Sequence, residues 1–167
     1  YQKSSEWRVY TGRREVEGEL YFFDDNGRLL TEDGWSGECY VKDGKAVTGL
    51  LELNGKKYLF GDDGKQLVNG FEYKGEWYYA PEGEEHGALK ENYFRDRGNG
   101  YTYYGADGIA ARGWLEYDGT NSENTQSAGR YYQDENSWRI VTGRQEIDGS
   151  LYFLDDQGGM LTEDGWS

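Results

Sequence analysis

The segment Tyr1 to Ser36, YQKSSEWRVYTGRREVEGELYFFDDNGRLLTEDGWS, returns without a gap as Tyr132 to Ser167, YQDENSWRIVTGRQEIDGSLYFLDDQGGMLTEDGWS. About 22 of the paired positions are identical, which marks a repeat architecture. On this reading residues 1–131 form one long unit, and residues 132–167, a near copy of 1–36, open the next. The simplest source of such a chain is a longer tandem array, in which the second copy caps the module. The material for a core is aromatic, with sixteen Tyr, six Trp and six Phe. Twenty-six glycines against the single proline, Pro81, describe a chain that turns constantly.

Inside the long unit a shorter grammar recurs at a spacing near 20 residues: glycine, strand, tight turn, aromatic strand, Asp-Gly turn. Its clearest instance is Gly49 to Phe71, GLLELNGKKYLFGDDGKQLVNGF. Asn54-Gly55 predicts a two-residue type I′ turn that sets Leu53 opposite Lys56, Glu52 opposite Lys57 and Leu51 opposite Tyr58. One face then carries Leu51, Leu53, Tyr58 and Phe60, and the other pairs Glu52 with Lys57. Glu17-Gly18, Lys74-Gly75 and Asp148-Gly149 occupy the same turn in other units. A hairpin of this size cannot cover its own aromatic face, so units must stack. The expected fold is an all-β solenoid of stacked β-hairpin repeats with no long helices. Thr120 to Ala128 reads as a polar, mobile insertion.

Charge removes several functions. A net charge of −14 argues against nucleic acid and anionic membranes, both of which need clustered cations. No apolar run approaches the roughly 18 residues of a membrane span. Cys39 has no partner for an internal disulfide and reads as a small strand residue. His86 stands among acidic residues with no serine or cysteine motif and reads as a solvated loop histidine. DDNG, GDDG and LDDQG lack the spacing and closing Glu of a calcium loop and read as turns. No metal site, cofactor or catalytic constellation is expected.

The string of Gly-aromatic, turn, Trp/Tyr-Tyr-Phe, Asp-Gly and Thr-Gly resembles the cell-wall-binding repeat superfamily: choline-binding repeats, glucan-binding repeats of glucansucrases and the repetitive oligopeptides of large clostridial toxins. The resemblance runs from about Thr11 to Trp166. It implies a β-hairpin solenoid, secreted or wall-attached in a Gram-positive bacterium, that binds polymers and does no chemistry. In the choline-binding branch the resemblance implies a ligand ammonium caged by Trp and Tyr of neighbouring hairpins, and this chain departs from that pattern. Trp35, Trp114 and Trp166 keep the Gly-Trp position, whereas Leu50 and Phe71 fill others. Trp77 alone matches the first aromatic of the Trp-Tyr-Tyr run, where Leu20, Lys57 and Leu151 stand elsewhere. A regular row of choline cages is not expected.

The glucan-binding and toxin branches need fewer tryptophans and fit Gly49 to Phe71 better. A sugar stacks its C–H face on an exposed ring while polar neighbours fix its hydroxyls. Candidate ligand contacts are Trp35, Phe71, Trp77, Tyr78, Tyr79, Tyr103, Tyr104 and Trp114, with Trp77 and Trp114 preferred because they lie in the least regular stretch. The expected partners are a cell-wall polymer or neutral saccharide, together with neighbouring repeats. A second reading is an adhesin module that captures a host protein, an immunoglobulin or mucosal glycoprotein, through the irregular centre, Phe71 to Arg130.

Overall fold

A computed structural model describes residues 9–83 and 86–162. The beginning of the first copy, the end of the second and Trp166 lie outside the described residues. The chain divides into two compact units, one of Tyr1–Val68 with Ala80–Leu89, the other of Asn69–Tyr79 with Lys90–Ser167. Every regular element among the described residues is a β-strand, as the repeat grammar predicts.

In the first unit, β1 (Gly12–Val16), β2 (Glu19–Phe23), β3 (Gly34–Ser36), β4 (Cys39–Lys42) and β5 (Lys45–Ala46) form a sheet ordered β1-β2-β5-β4-β3. A separate hairpin follows, β6 (Gly49–Leu53) with β7 (Lys56–Phe60). Its register is the predicted one, Leu53 with Lys56, Glu52 with Lys57 and Leu51 with Tyr58. The cause is local: Asn54 and Gly55 take φ of 52° and 76°, the positive pair that a type I′ turn requires.

Phe22, Cys39 and Val41 form the buried centre of this unit, flanked by Leu20 and Ala46. Cys39 is an inert strand residue there, and burial pushes its thiol pKa up. Leu59 is also buried, although it shares a face with Glu52 and Lys57. The hairpin is thus covered more fully than its alternation predicts. Leu67 N–H donates to the Leu59 carbonyl, and Leu89 N–H to the Lys57 carbonyl.

In the second unit, β8 (Asn69–Tyr73) pairs with β9 (Glu76–Ala80), and β10 (Tyr93–Asp96) with β11 (Tyr101–Tyr104). A three-stranded sheet follows, β12 (Gly113–Tyr117), β13 (Gly129–Asp134) and β14 (Arg139–Ile140), then the hairpin β15 (Gly143–Ile147) and β16 (Ser150–Leu154). The core is a ring cluster. Phe94 lies 4.6 Å from Tyr103, 5.0 Å from Tyr131 and 5.1 Å from Tyr117 between ring centroids. Such tilted and edge-to-face pairs add about 0.5–1.5 kcal/mol each beyond area burial.

Buried tyrosines need hydroxyl partners, and these determine the loops. Tyr103 donates to Asn92 Oδ1, Tyr117 to the Asn121 carbonyl and Tyr131 to the Ser127 carbonyl. Asn124 completes the latch, accepting from Phe94 N–H and donating to the Asn92 carbonyl and the Tyr117 hydroxyl. The Thr120 to Ala128 insertion is therefore fastened to the core, contrary to the mobile loop expected from its polarity. Fully buried Gln133 behaves as a piece of backbone. Its Oε1 accepts from Tyr103 N–H, and its Nε2 donates to the carbonyls of Tyr103 and Ala111.

The aspartate turns are what the sequence suggests. Oδ1 of Asp24, Asp63, Asp107 and Asp155 accepts backbone N–H groups two residues on, and for Asp24 and Asp155 also four residues on. No cluster of ligating side chains among the described residues suits a metal.

The two copies give an internal control, because the same residue meets different neighbours. Phe22 is 5% exposed, whereas Phe153, its equivalent in the second copy, is 52% exposed. Phe22→Ala should therefore cost about 3–5 kcal/mol in urea denaturation, and Phe153→Ala less than about 1 kcal/mol. Replacing Gln133 by Met, which keeps its shape, should cost about 1–3 kcal/mol and accelerate hydrogen exchange at the Tyr103 amide.

Candidate functional site

Aromatic rings that stand at strand positions facing a neighbour are available to cations as well as to ligands. In the first unit, Trp35 on β3 meets Tyr40 at 5.4 Å, Tyr58 at 5.3 Å and Phe60 at 5.7 Å. His86 closes this group, its imidazole lying parallel to Trp35 at 3.7 Å and 9°. It is half-buried against a ring, which corrects the solvated position expected for it.

In the second unit, Trp114 on β12 meets Tyr132 at 5.2 Å and Tyr152 at 4.7 Å, both edge-to-face. The guanidinium of Arg130 sits 4.3 Å from the Trp114 ring centroid. Arg130 and Tyr132 are two residues apart on β13 and so share its face. Arg95 lies 4.1 Å over the Tyr79 ring. Gly70 makes room for it, since a Cβ there would come within 2.5 Å of Arg95 Nη1. Arg112 stands 4.9 Å over Trp138 and bonds Glu76 Oε2. Each of these contacts satisfies the ring's negative face from inside the chain.

The eight residues singled out from the sequence fall into distinct environments. Tyr103 and Tyr104 are 5% and 1% exposed. Tyr103 belongs to the core cluster with Phe94, Tyr117 and Tyr131. Tyr104 shows one edge to a cleft, and burial raises its pKa against the opposing pull of an Arg95 hydrogen bond. Phe71 stacks on Tyr78 at 5.8 Å and 18°. Burial, then the charges of Glu76 and Asp107, push the Tyr78 hydroxyl up.

Phe71 does not hold the position that Trp114 holds. Gly113 and Gly49 open their strands at positive φ, 71° and 76°, and in β8 the residue that does so is Asn69, at 65°. Gly70 consequently occupies the place of the tryptophan, and Phe71 falls one position later.

Trp77 is different. Among the four described tryptophans, it is the one with neither ring nor cation of the described residues in stacking reach. It lines a shallow cleft with Arg97, Thr102, Tyr104, Ser137 and Trp138. The Thr102 hydroxyl donates to the Trp138 carbonyl at 2.5 Å, tying two of the cleft's lining residues together. Sequence reasoning missed Trp138 and the arginines. The available signal was an arginine two residues from an aromatic, as in Tyr93-Phe94-Arg95 and Arg130-Tyr131-Tyr132, a spacing that puts both on one strand face.

No family model matches the sequence, and no curated relative matches it. Solved structures share its fold. CbpJ from Streptococcus pneumoniae TIGR4 superposes with a TM-score of 0.70 at 23% identity, covering 95% of this chain and 56% of that one. Choline binding protein F from Streptococcus pneumoniae, solved with a peptidoglycan analogue, gives 0.67 at 22%, covering 95% and 55%. The modular autolysin LytC of the same species gives 0.58 at 18%, covering 92% and 34%. The resemblance seen in the sequence thus holds for the fold, an all-β repeat of small hairpins. The chain spans about half the length of CbpJ and choline binding protein F.

Internal cations on Trp114 and Tyr79 compete directly with an ammonium ligand. Millimolar choline should leave the melting temperature of the protein unchanged. Arg130→Ala vacates the seat among Trp114, Tyr132 and Tyr152, and choline at about 100 times its dissociation constant should then stabilise the variant by about 2.7 kcal/mol, read as an upward shift in calorimetry.

Proposed function

We propose that this chain is a non-catalytic, extracellular module that binds a saccharide or cell-wall polymer, with Trp77 as its stacking platform. The observation that carries the reading is the unoccupied ring of Trp77 in a cleft edged by hydrogen-bonding groups, Arg97, Thr102 and Ser137. An apolar wall with a few convergent polar groups is the usual form of a sugar site. The shared fold supports the same class, since choline binding protein F was solved with a peptidoglycan analogue and LytC with a synthetic peptidoglycan ligand. Carboxylates are abundant, but those of the repeated turns are engaged by backbone N–H groups. No helix among the described residues is long and apolar enough to cross a membrane.

A second reading, capture of a host protein such as an immunoglobulin or mucosal glycoprotein, is supported by the fastened Thr120 to Ala128 insertion. A rigid surface loop loses less entropy on docking than a mobile one.

The two readings separate in one experiment. On an array of soluble peptidoglycan fragments and neutral glucans, the protein should bind, and Trp77→Ala should weaken binding about tenfold, as loss of about 1.4 kcal/mol implies. Trp35→Ala, whose ring is already stacked on His86, should weaken it far less. A silent array together with capture of purified immunoglobulin by the same protein would sink the saccharide reading.

A further inference from the structure

The Trp77 cleft differs from the other aromatic sites in the charge it presents. Arg97 lines it and is exposed, and its Nη1 donates to Thr102 Oγ1 at 3.4 Å. Three other cations of this unit stand beside carboxylates, Arg112 with Glu76, Arg130 with Glu116 and Lys90 with Glu123, and Arg95 is placed over the Tyr79 ring. Arg97 has no carboxylate of the described residues in ion-pair reach, in a chain with 14 excess negative charges.

The acidic side chains nearest in sequence are turned to other work. Asp96 Oδ1 accepts from Gly98 N–H at 2.7 Å. Asp134 Oδ1 accepts from Ser137 N–H at 2.7 Å and Asn136 N–H at 3.2 Å, and these bonds hold its carboxyl below its usual pKa. No carboxylate lines the cleft itself. Thr102, anchored by its own bond to the Trp138 carbonyl, steadies one edge of the Arg97 guanidinium. The remaining donors of that planar fork match the paired oxygens of a carboxylate or phosphate.

We propose that this cleft seats a sugar ring bearing one anionic substituent, with the ring on Trp77 and the anionic oxygens on Arg97. The inference rests on the saccharide reading and narrows its ligand class. The chain's net charge sets the limit of one substituent at a time. A densely charged polymer is repelled, while a lone charge within about 8 Å of Arg97 is screened from most of the surface at physiological salt.

The test is a titration followed by tryptophan fluorescence and ligand-observed NMR. The probes are glucose, glucuronic acid and glucose 6-phosphate, together with the pair N-acetylglucosamine and N-acetylmuramic acid, which differ by a carboxylate-bearing ether. Each anionic sugar should bind about tenfold more tightly than its neutral counterpart. The two glucose derivatives then distinguish carboxylate from phosphate. Arg97→Gln should abolish the preference and leave neutral-sugar binding in place, Arg97→Lys should restore part of it, and Trp77→Ala should weaken every probe. Equal binding of neutral and anionic sugars, or a preference that survives Arg97→Gln, overturns the inference and leaves the saccharide reading standing. Failure of every probe to bind overturns both.

Discussion

A hairpin of two five-residue strands buries its aromatic rings only when another segment is laid against it, and the remaining features of this chain descend from that dependence. Tilted and edge-to-face contacts carry most of the packing, from Phe94 among three tyrosines to Trp114 between Tyr132 and Tyr152. Because a tyrosine core brings hydroxyls with it, packing also organises the loops. The Asn121 and Asn124 latch exists because Tyr117 and Phe94 need partners at the core's edge. The same dependence explains why two near-identical segments have different surfaces. Phe22 is covered by Cys39 and Val41, and Phe153 has no such cover.

The rings' electrostatics lead to function. An aromatic face left in water attracts a cation, and this strongly acidic chain directs several of its few cations to its own rings. A fold shared with choline-binding proteins is therefore compatible with a different ligand. Arg95, Arg130 and the His86 imidazole cover the Tyr79, Trp114 and Trp35 rings, and Trp77 is the described tryptophan that escapes this arrangement. Which rings stay open in this repeat depends on which rings the chain itself covers, as much as on which rings it has.

Much of the architecture was legible in the sequence because it is set by neighbours along the chain. The Asn54-Gly55 turn and its register follow from two adjacent φ preferences, and the aspartate turns from a side chain reaching two residues onward. The site was less legible. Phe71 was placed at the tryptophan position because the glycine beside it looked like the strand opener, yet Asn69 adopts the positive φ and shifts the frame by one. Trp138 was overlooked because its value lies in sharing a cleft with Trp77, from which 60 positions separate it, and no local pattern records that proximity.

By itself the sequence determined the all-β repeat, the positions of the tight turns and the aromatic character of the core, since each depends on short-range backbone geometry or on composition. Only the tertiary structure decided which aromatics are core, which are covered by cations and which remain open. Ring availability is a property of whatever packs on the other side, and in Trp35 with His86, Tyr79 with Arg95, and Trp77 with its cleft, that partner comes from a distant part of the chain.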